Sequence, residues 1–506
     1  MTTAATKPLV DDDPSIAAPT GVASVPAATP AFPPRDAGPR PARDRRWLLL
    51  AVVATAQLMI VLDGSVVNIA LPAAQAGLGM SDVARQWIVT AYGLAFGGLL
   101  LLGGRLSDLI GRRRAFLVGL AGFALASAAG GLAADTAMLI AARAAQGAFA
   151  ALLAPSVLAL LTLAFPRGRD RATAFGVFSA VAIAGGAVGL LLGGVLTEWV
   201  SWRWTLLINV VIATGVVMAA LPIVPRTGPA TRTGRIDVPG ALLATFGAVL
   251  LVYSFTDAEL YGWLAAPTLA LFATAVVVLG AFVARQGRTA HPLLPLRVVA
   301  DRNRGGANLA VGLAIMAMFG QFLVLTYYFQ ITLDYTPIQT GLAFLPLTLS
   351  LAFGSTYVGR RLVLAMSSRW VMFGGYLVSA TGFICLMFLS VDSSFWQILP
   401  GSILIGLGAG TAGLAANSLS TYGVDAHDAG VASAMLNTSQ QVGGAIGTAM
   451  LSTVAASATA GAVTAGTAVA VATMTGYVIA FAVAAGLMAA AAVISVLMVT
   501  HRPDTD

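Results

Sequence analysis

Long apolar segments alternate with short polar breaks from residue 46 to residue 499. A helix needs roughly 20 apolar residues to cross the hydrocarbon core of a bilayer, and each of these segments is long enough. The pattern therefore predicts fourteen membrane-spanning helices, at 46–71, 84–104, 115–134, 137–163, 172–197, 204–223, 238–256, 267–285, 304–330, 339–358, 370–391, 395–420, 430–456 and 471–499.

The predicted spans divide into six, two and six. In each group of six, the second span is followed by Gly-Arg and the fifth is rich in glycine. This repetition predicts an all-α membrane protein with an N-terminal six-helix bundle (46–223), a linker with two extra helices (224–303) and a C-terminal six-helix bundle (304–499). Two such halves around a central site are typical of transporters.

Basic residues indicate the orientation of these spans. Residues 1–45 are rich in Ala, Pro, Asp and Thr, which predicts a disordered tail, and residues 500–506 form a second tail. If both tails are cytoplasmic, all but three of the 28 basic residues lie on the cytoplasmic side, as the positive-inside rule requires. The exceptions are Arg85, Arg143 and Arg203. We expect a multi-pass protein of the plasma membrane.

Composition excludes several other classes of protein. Hydrophobic residues make up 58% of the chain and charged residues 10%, whereas a soluble chain carries about a quarter charged residues. The net charge of +7 does not indicate nucleic-acid binding, because no soluble domain carries a basic patch. Cys385 is the one cysteine, which excludes an intrachain disulfide and a thiolate metal site. No P-loop sequence occurs, so ATP is not expected to drive the protein. We also expect no nucleotide, metal or other cofactor.

Asp63 and Arg143 are charged residues inside predicted spans. A carboxylate in a membrane is costly and is functional by default, so we expect Asp63 to carry a proton as water access changes sides. Arg143 needs an acidic, carbonyl or water partner and would favour the ionised form of a nearby carboxylate. Gln146 lies one turn from Arg143 on the same face. Purely structural roles remain open for both charges, and the sequence does not establish their contact.

Two further segments carry glycine in functional patterns. In "GGRLSDLIGRRR" (103–114), we expect a gating loop formed by Gly104, Asp108, Gly111 and Arg112, although its arginines also fix topology. In "GGAVGLLLGG" (185–194), glycines spaced four residues apart predict a smooth stripe for close helix contact, at Gly185, Gly189 and Gly193 with Gly194 beside them. Simple packing explains this stripe equally well.

Spans of the second half are almost free of charge, and their polar groups are neutral. We expect amide and aromatic side chains to line a cavity for bulky amphipathic ligands, with hydrogen bonding between helices as the alternative. The candidates are Gln146, Gln321, Tyr328, Asn437 and Gln441.

These stretches together resemble the major facilitator superfamily, specifically its fourteen-span drug:proton antiporter branch. "LDGSVVNIALP" (62–72) is similar to the first-span motif of that branch, and "GGRLSDLIGRRR" is similar to the loop after the second span. "RAAQG" (143–147), "SWRWTLLIN" (201–209), "HPLLPLR" (291–297) and "YTPIQTGLAFLP" (335–346) resemble further motifs. In the fifth span, Gly189 is followed by Leu190 where the family usually has proline, and the proline often found after Asn209 is absent.

The resemblance implies an exporter of hydrophobic or amphipathic drugs that works by alternating access and is driven by the proton gradient. We expect it to be a monomer. Asp63 and Arg143 would then couple protons to transport, and the glycine stripe would be the antiporter motif. Transport of one endogenous metabolite, or uptake, remains open. A membrane-embedded enzyme is a remote alternative, because the predicted spans hold no histidine and no pair of acids.

Overall fold

A computed structural model describes residues 43–165, 168–225, 237–289, 292–294, 296, 300–421 and 429–500. Throughout these residues the elements are helical, which confirms the predicted fold class. The helices are α1 Arg43–Leu78, α2 Asp82–Ile110, α3 Arg112–Gly131, α4 Thr136–Ala164, α5 Gly168–Trp199, α6 Trp204–Ile223, α7 Val238–Tyr261, α8 Ala266–Arg288, α9 Arg302–Tyr327, α10 Pro337–Ala343, α11 Leu345–Phe353, α12 Gly359–Ala365, α13 Ser368–Leu386, α14 Phe395–Thr421, α15 Ala429–Thr464 and α16 Val469–Met498.

Each predicted apolar stretch overlaps one or more of these helices. Within the described residues, twelve helical stretches are long and apolar enough to cross a membrane, so the chain is a multi-pass membrane protein. The second and fifth predicted stretches correspond to α2 and α5, and the count of fourteen spans stays a prediction. The tenth stretch is broken: α10, α11 and α12 follow one another, with a π-helical segment at Gly354–Val358. The proposed tail of residues 1–45 lies outside the described residues up to residue 42.

At several of the predicted breaks, the first turn of a helix is capped by a polar side chain. Asp135 precedes α4 and accepts a hydrogen bond from the N–H of Met138 (2.8 Å), which satisfies an otherwise free donor of the first turn. Thr336 and Gln339 form a capping box at the start of α10. Between α2 and α3 a single residue, Gly111, makes the break with φ of +89°. Only glycine adopts this conformation without strain, which accounts for its place in the 103–114 loop.

Small residues bring the helices of each half close together. In the first half, a Cβ at Gly147 of α4 would overlap the backbone of α2 at Tyr92. In the second half, Gly375 of α13 packs on Gly408 of α14 in the same way, with 2.7 Å from a Cβ at Gly375 to the Gly408 carbonyl. Helices in lipid associate through such close backbone contacts, since apolar side chains gain little by leaving lipid for each other.

The extra helices α7 and α8 form a hairpin that is pinned at both ends by aspartate. At one end, Asp237 accepts hydrogen bonds from Arg285 Nε (2.7 Å), Gln286 Nε2 (3.0 Å) and the N–H of Gly240 (3.0 Å). Burial raises the pKa of the Asp237 carboxyl, but these three donors and the Arg285 charge outweigh it and hold that pKa below its ordinary value. At the other end, Thr268 donates to Asp257 (2.6 Å).

One face of this hairpin lies over the seam between the two halves. Thr245 of α7 fits against Gly98 of α2, where a Cβ would lie 2.8 Å from its hydroxyl. On the other side of the seam, Thr453 of α15 donates to the carbonyl of Phe255 (3.2 Å). Helix α7 therefore touches α2 of the first half and α15 of the second half along one flank of the protein.

Replacing Asp237 tests the pinning of the hairpin. We expect Asp237→Asn to lower the free energy of unfolding by about 1–3 kcal/mol at neutral pH, because hydrogen bonds to a charged group are lost. Since the folded carboxyl has the lower pKa, its contribution is fully present above about pH 4 and is lost as the pH falls below that value. Thermal unfolding of the purified protein in detergent over a pH series measures both effects. Exposed Asp392, changed to Asn, is the matched control.

Candidate functional site

Asp63 of α1 and Arg143 of α4 form a buried ion pair. Arg143 Nη1 lies 2.6 Å from Asp63 Oδ2, and each residue is 1% exposed. The sequence placed two charges in separate spans and left their contact open; the structure brings them together across 80 positions of chain.

Two amides complete the surroundings of the carboxylate. Gln146 Nε2 and Asn209 Nδ2 each donate to Asp63 Oδ1 at 2.7 Å. With Arg143 on Oδ2, three donors from α4 and α6 therefore converge on one side chain of α1. An ionised carboxylate accepts only, so this set of donors is complementary to the charged form of Asp63.

Arg143 keeps partners other than the carboxylate. Its Nε donates to the carbonyl of Ile88 (3.1 Å), and its Nη1 also donates to Gln146 Oε1 (2.8 Å). The guanidinium lies over the ring of Tyr92, 4.4 Å from its centroid, in a cation–π contact with α2. The arginine is thus held against α2 and α4 even without Asp63.

Ser127 of α3 joins the same network. Its hydroxyl accepts from Gln146 (3.2 Å) and Asn209 (3.1 Å) and donates to the carbonyl of Leu206 (2.8 Å). Sequence reasoning assigned no role to Ser127, Asn209 or Tyr92. The signal for Asn209 was available, since an amide in the apolar helix α6 requires a hydrogen-bond partner.

Such a network is what a buried ion pair requires. Moving both charges out of water costs more than their attraction returns unless further hydrogen bonds satisfy the remaining groups. Here Gln146, Asn209 and Ile88 provide those bonds. The pair is therefore stable as a unit, and a change in the charge of either member disturbs helices α1, α2, α4 and α6 at once.

The predicted glycine stripe faces α1, the helix that carries Asp63. A Cβ at Gly185 would lie 2.9 Å from Leu58, one at Gly193 would lie 2.9 Å from the Val66 carbonyl, and one at Gly189 would overlap the Ser65 hydroxyl. Gly194 instead contacts the second half, where a Cβ would lie 2.7 Å from the Pro337 carbonyl. In the structure Gly185, Gly189 and Gly193 thus lie in close contact with α1, and the role of the stripe in antiport stays a prediction.

The expected gating loop at 103–114 is mostly helical: Gly104 and Asp108 lie in α2, Arg112 begins α3, and only Gly111 lies between the two helices. A Cβ at Gly104 would lie 3.8 Å from Pro155 of α4. Arg113 donates to the carbonyl of Leu221 (2.7 Å), which ties the start of α3 to the end of α6. The side chain of Asp108 lies outside the described residues, so its gating role stays a prediction.

The cavity candidates of the second half have different surroundings in the structure. Tyr328 is fully buried, and its hydroxyl donates to the Ser390 carbonyl (2.9 Å) inside the C-terminal bundle. Gln321 is buried, and among the described residues its amide has no hydrogen-bond partner. Gln441 packs against Gly97 at the α2–α15 contact, whereas Asn437 is exposed. Their expected contact with a ligand stays a prediction.

A polar cluster joins the two halves at the end of the bundle where α1 turns into α2, which we call the turn end (residues 79–81). Arg85 Nη1 lies 2.6 Å from Asp82 Oδ1 and 3.3 Å from Gln75 Oε1. Across the seam, Tyr327 of α9 donates to the same Gln75 oxygen (2.7 Å), and its ring lies under the Arg85 guanidinium at 4.0 Å. We call these four residues the turn-end latch.

Other contacts close the same end. Gln330 Nε2 donates to the carbonyl of Ile69 (3.1 Å), and the N–H of Ile338 donates to Glu198 (3.1 Å). Helices α1 and α5 of the first half are thereby joined to the α9–α10 region of the second half.

The sequence profile described as Major Facilitator Superfamily matches residues 53–448, which span the ion pair, the glycine stripe and most of both halves. The chain belongs to the major facilitator superfamily. Its overall fold agrees: the crystal structure of a peptide transporter of the POT type in complex with sulfate superposes with a TM-score of 0.66, at 15% identity, covering 90% of this chain and 95% of that one.

Several relatives in this superfamily are similar over most of their length. The puromycin resistance protein pur8 of Streptomyces alboniger is 49% identical, with 84% of each chain covered. The cephamycin export protein CmcT of Amycolatopsis lactamdurans is 42% identical over 81% of this chain and 85% of its own length. The lincomycin resistance protein of Streptomyces lincolnensis is 37% identical, with 81% and 84% covered. The drug:proton antiporter branch is consistent with these relatives.

A double-mutant cycle tests the ion pair. We expect Arg143→Met alone to lower the free energy of unfolding by about 3–5 kcal/mol, because an unpaired carboxylate is left buried. The double variant Asp63→Leu with Arg143→Met is expected to be more stable than Arg143→Met, since no charge is then left without a partner. Unfolding in detergent micelles measures all four proteins. Strictly additive effects would contradict the pairing.

Proposed function

We propose that this protein is a proton-coupled exporter of small hydrophobic or amphipathic compounds, antibiotics among them. The observation that carries the proposal is the Asp63 carboxylate, buried in the first half and held by donors from two other helices. Relatives named for puromycin resistance and for cephamycin export support drugs as the substrates. We propose neither an enzymatic step nor a cofactor, and we place a monomer in the plasma membrane.

Protonation of Asp63 is the step that couples proton binding to the conformation of the protein. A neutral Asp63 no longer attracts Arg143 as an ion, and one oxygen becomes a donor. Arg143 then rests on its other partners, the carbonyl of Ile88, the amide oxygen of Gln146 and the ring of Tyr92. The tie between α1 and α4 weakens, while α4 stays attached to α2. Charge on one side chain thereby controls the packing of the helix that also contacts the glycine stripe.

The energy source is the proton gradient. Moving one proton inward across the membrane potential releases about 2.3 kcal/mol per 100 mV, and the concentration gradient adds to this. Substrate is expelled against its own gradient only if proton and substrate affect each other's binding. Because Asp63 sits in the packed core of the first half, the linkage we propose is conformational: protonation and substrate favour different arrangements of the two halves.

Alternating access requires one end of the protein to open while the other closes. The distribution of basic residues supports cytoplasmic termini, and we therefore propose that the turn end faces outside. The turn-end latch then holds the two halves closed toward the outside in this structure. Release of substrate to the outside requires Gln75 and Arg85 to part from Tyr327.

Dye and drug efflux tests the coupling. In vesicles with an imposed proton gradient, we expect wild-type protein to move ethidium and puromycin, and Asp63→Asn to move them no faster than vesicles without the protein, since an amide carries no proton. Asp392→Asn, an exposed carboxylate between α13 and α14, should transport like wild type. Unchanged efflux by Asp63→Asn would remove this residue from the mechanism.

Cysteine labelling tests the latch. In a Cys385→Ala background, Leu71→Cys places a thiol in the seam, where Leu71 packs with Leu323 and Tyr327 and is 1% exposed. We expect Tyr327→Phe to raise the rate of labelling by an impermeant maleimide added outside about fivefold, because one hydrogen bond of roughly 1 kcal/mol no longer favours the closed state. The exposed Tyr261→Phe is the control. Equal rates in both variants would contradict a closed outer gate.

A further inference from the structure

One acceptor beside the ion pair lacks a donor. Asn209 is fully buried, and its Nδ2 donates to Asp63 and to Ser127. Its Oδ1 has no hydrogen-bond partner among the residues that the structure describes. A buried polar atom without a partner costs free energy and calls for an explanation.

The orientation of this amide follows from the charge of Asp63. If the amide were turned over, Asn209 Oδ1 would face Asp63 Oδ1, and two acceptors would repel each other. It would also face the Ser127 hydroxyl, whose proton is already donated to the Leu206 carbonyl. With Asp63 ionised, the amide must therefore present its NH₂ group and leave its oxygen unused.

Protonation of Asp63 reverses this requirement. A carboxylic acid has one O–H to donate, and a buried donor needs an acceptor. The Oε1 atom of Gln146 and the carbonyl of Ile88 already receive Arg143. The Ser127 hydroxyl already accepts from two amides. Asn209 Oδ1 has no donor, and it belongs to a side chain that already lies 2.7 Å from the carboxylate.

We propose that Asn209 is a positioning residue that serves Asp63 in both charge states. In the ionised state it donates through Nδ2 to Asp63 Oδ1, as observed. When a proton binds to that oxygen, an O–H bond forms and the two hydrogen bonds from Nδ2, to Asp63 and to Ser127, break. The amide turns half a revolution about its Cβ–Cγ bond so that Oδ1 accepts from the acid, and the Ser127 hydroxyl turns from the Leu206 carbonyl to donate to the same Oδ1. The inference rests on the proposed function, since it assumes that Asp63 gains and loses a proton.

Two other groups near Asp63 are charged or titratable in the described part of the chain. Arg143 of α4 is bound to the opposite oxygen, Oδ2. Tyr92 of α2 has a hydroxyl without a described partner, but its ring is occupied by the Arg143 guanidinium. The α6 residues that face the carboxylate are neutral, and Asn209 is the one that touches it. The Oδ1 side of the carboxylate therefore faces two amides: Gln146, whose own oxygen is bound to Arg143, and Asn209, whose oxygen is not bound.

Infrared difference spectroscopy of the purified wild-type protein, between neutral and acidic pH, tests the role of Asn209. The C=O stretching band of protonated Asp63 is identified by its loss in Asp63→Asn. We expect this band to move to higher wavenumber in Asn209→Leu, because the acid loses its acceptor. Asn308→Leu is the matched control, since Asn308 is also a buried asparagine with an unpartnered Oδ1 but lies in α9.

The outcomes separate this inference from the proposed function. An unshifted band in Asn209→Leu overturns the role of Asn209. Should that variant not fold, Asn209→Val removes the same polar atoms with less bulk, and the same shift is expected of it. Absence of any acid-induced band that depends on Asp63 overturns proton binding and this inference together. Because the band needs neither gradient nor substrate, a failure of drug efflux with a normal band shift contradicts export alone.

Discussion

The attraction between one buried carboxylate and one buried guanidinium determines how the helices of the first half pack. Asp63 and Arg143 are tolerated in the core because Gln146, Asn209 and the Ile88 carbonyl form hydrogen bonds with the donors and acceptors that the ion pair does not use. Each of these partners belongs to a different stretch of helix, so the electrostatic requirement of two atoms fixes how several helices sit against one another. The second half has no described counterpart: its buried Gln321 is neutral and unpartnered.

Much of the architecture could be predicted from the sequence, because a bilayer imposes one rule on every span. Apolar length located the helices, and the structure shows polar caps such as Asp135 at the breaks between them. The positions of the glycine stripe and of Gly111 were informative for a different reason, since only glycine permits the close contact with α1 or the positive φ observed there. The interruption of the tenth stretch by a π-helical segment at Gly354–Val358 left no comparable signal.

Side-chain pairing was less accessible, because it depends on which faces of distant helices meet. Asp63 and Arg143 were recognisable one by one, since charge is rare in lipid, but their contact spans 80 positions. For neutral polar groups, the sequence did not indicate which of them contact the ion pair. Asn209 and Tyr328 are both polar residues in apolar helices, yet Asn209 reaches the ion pair while Tyr328 bonds to Ser390 inside its own bundle. Periodicity gives the face of a helix but not the neighbour on that face.

The hairpin of α7 and α8 makes the two flanks of the protein unequal. On the α2–α15 side, Thr245 and Phe255 form a wall between the halves and the surrounding lipid. On the α5–α10 side, Gly194 and Pro337 meet without such a covering element in the described residues. The contact between the halves is therefore covered on one flank and bare on the other within the described residues, which gives the protein a front and a back within the plane of the membrane.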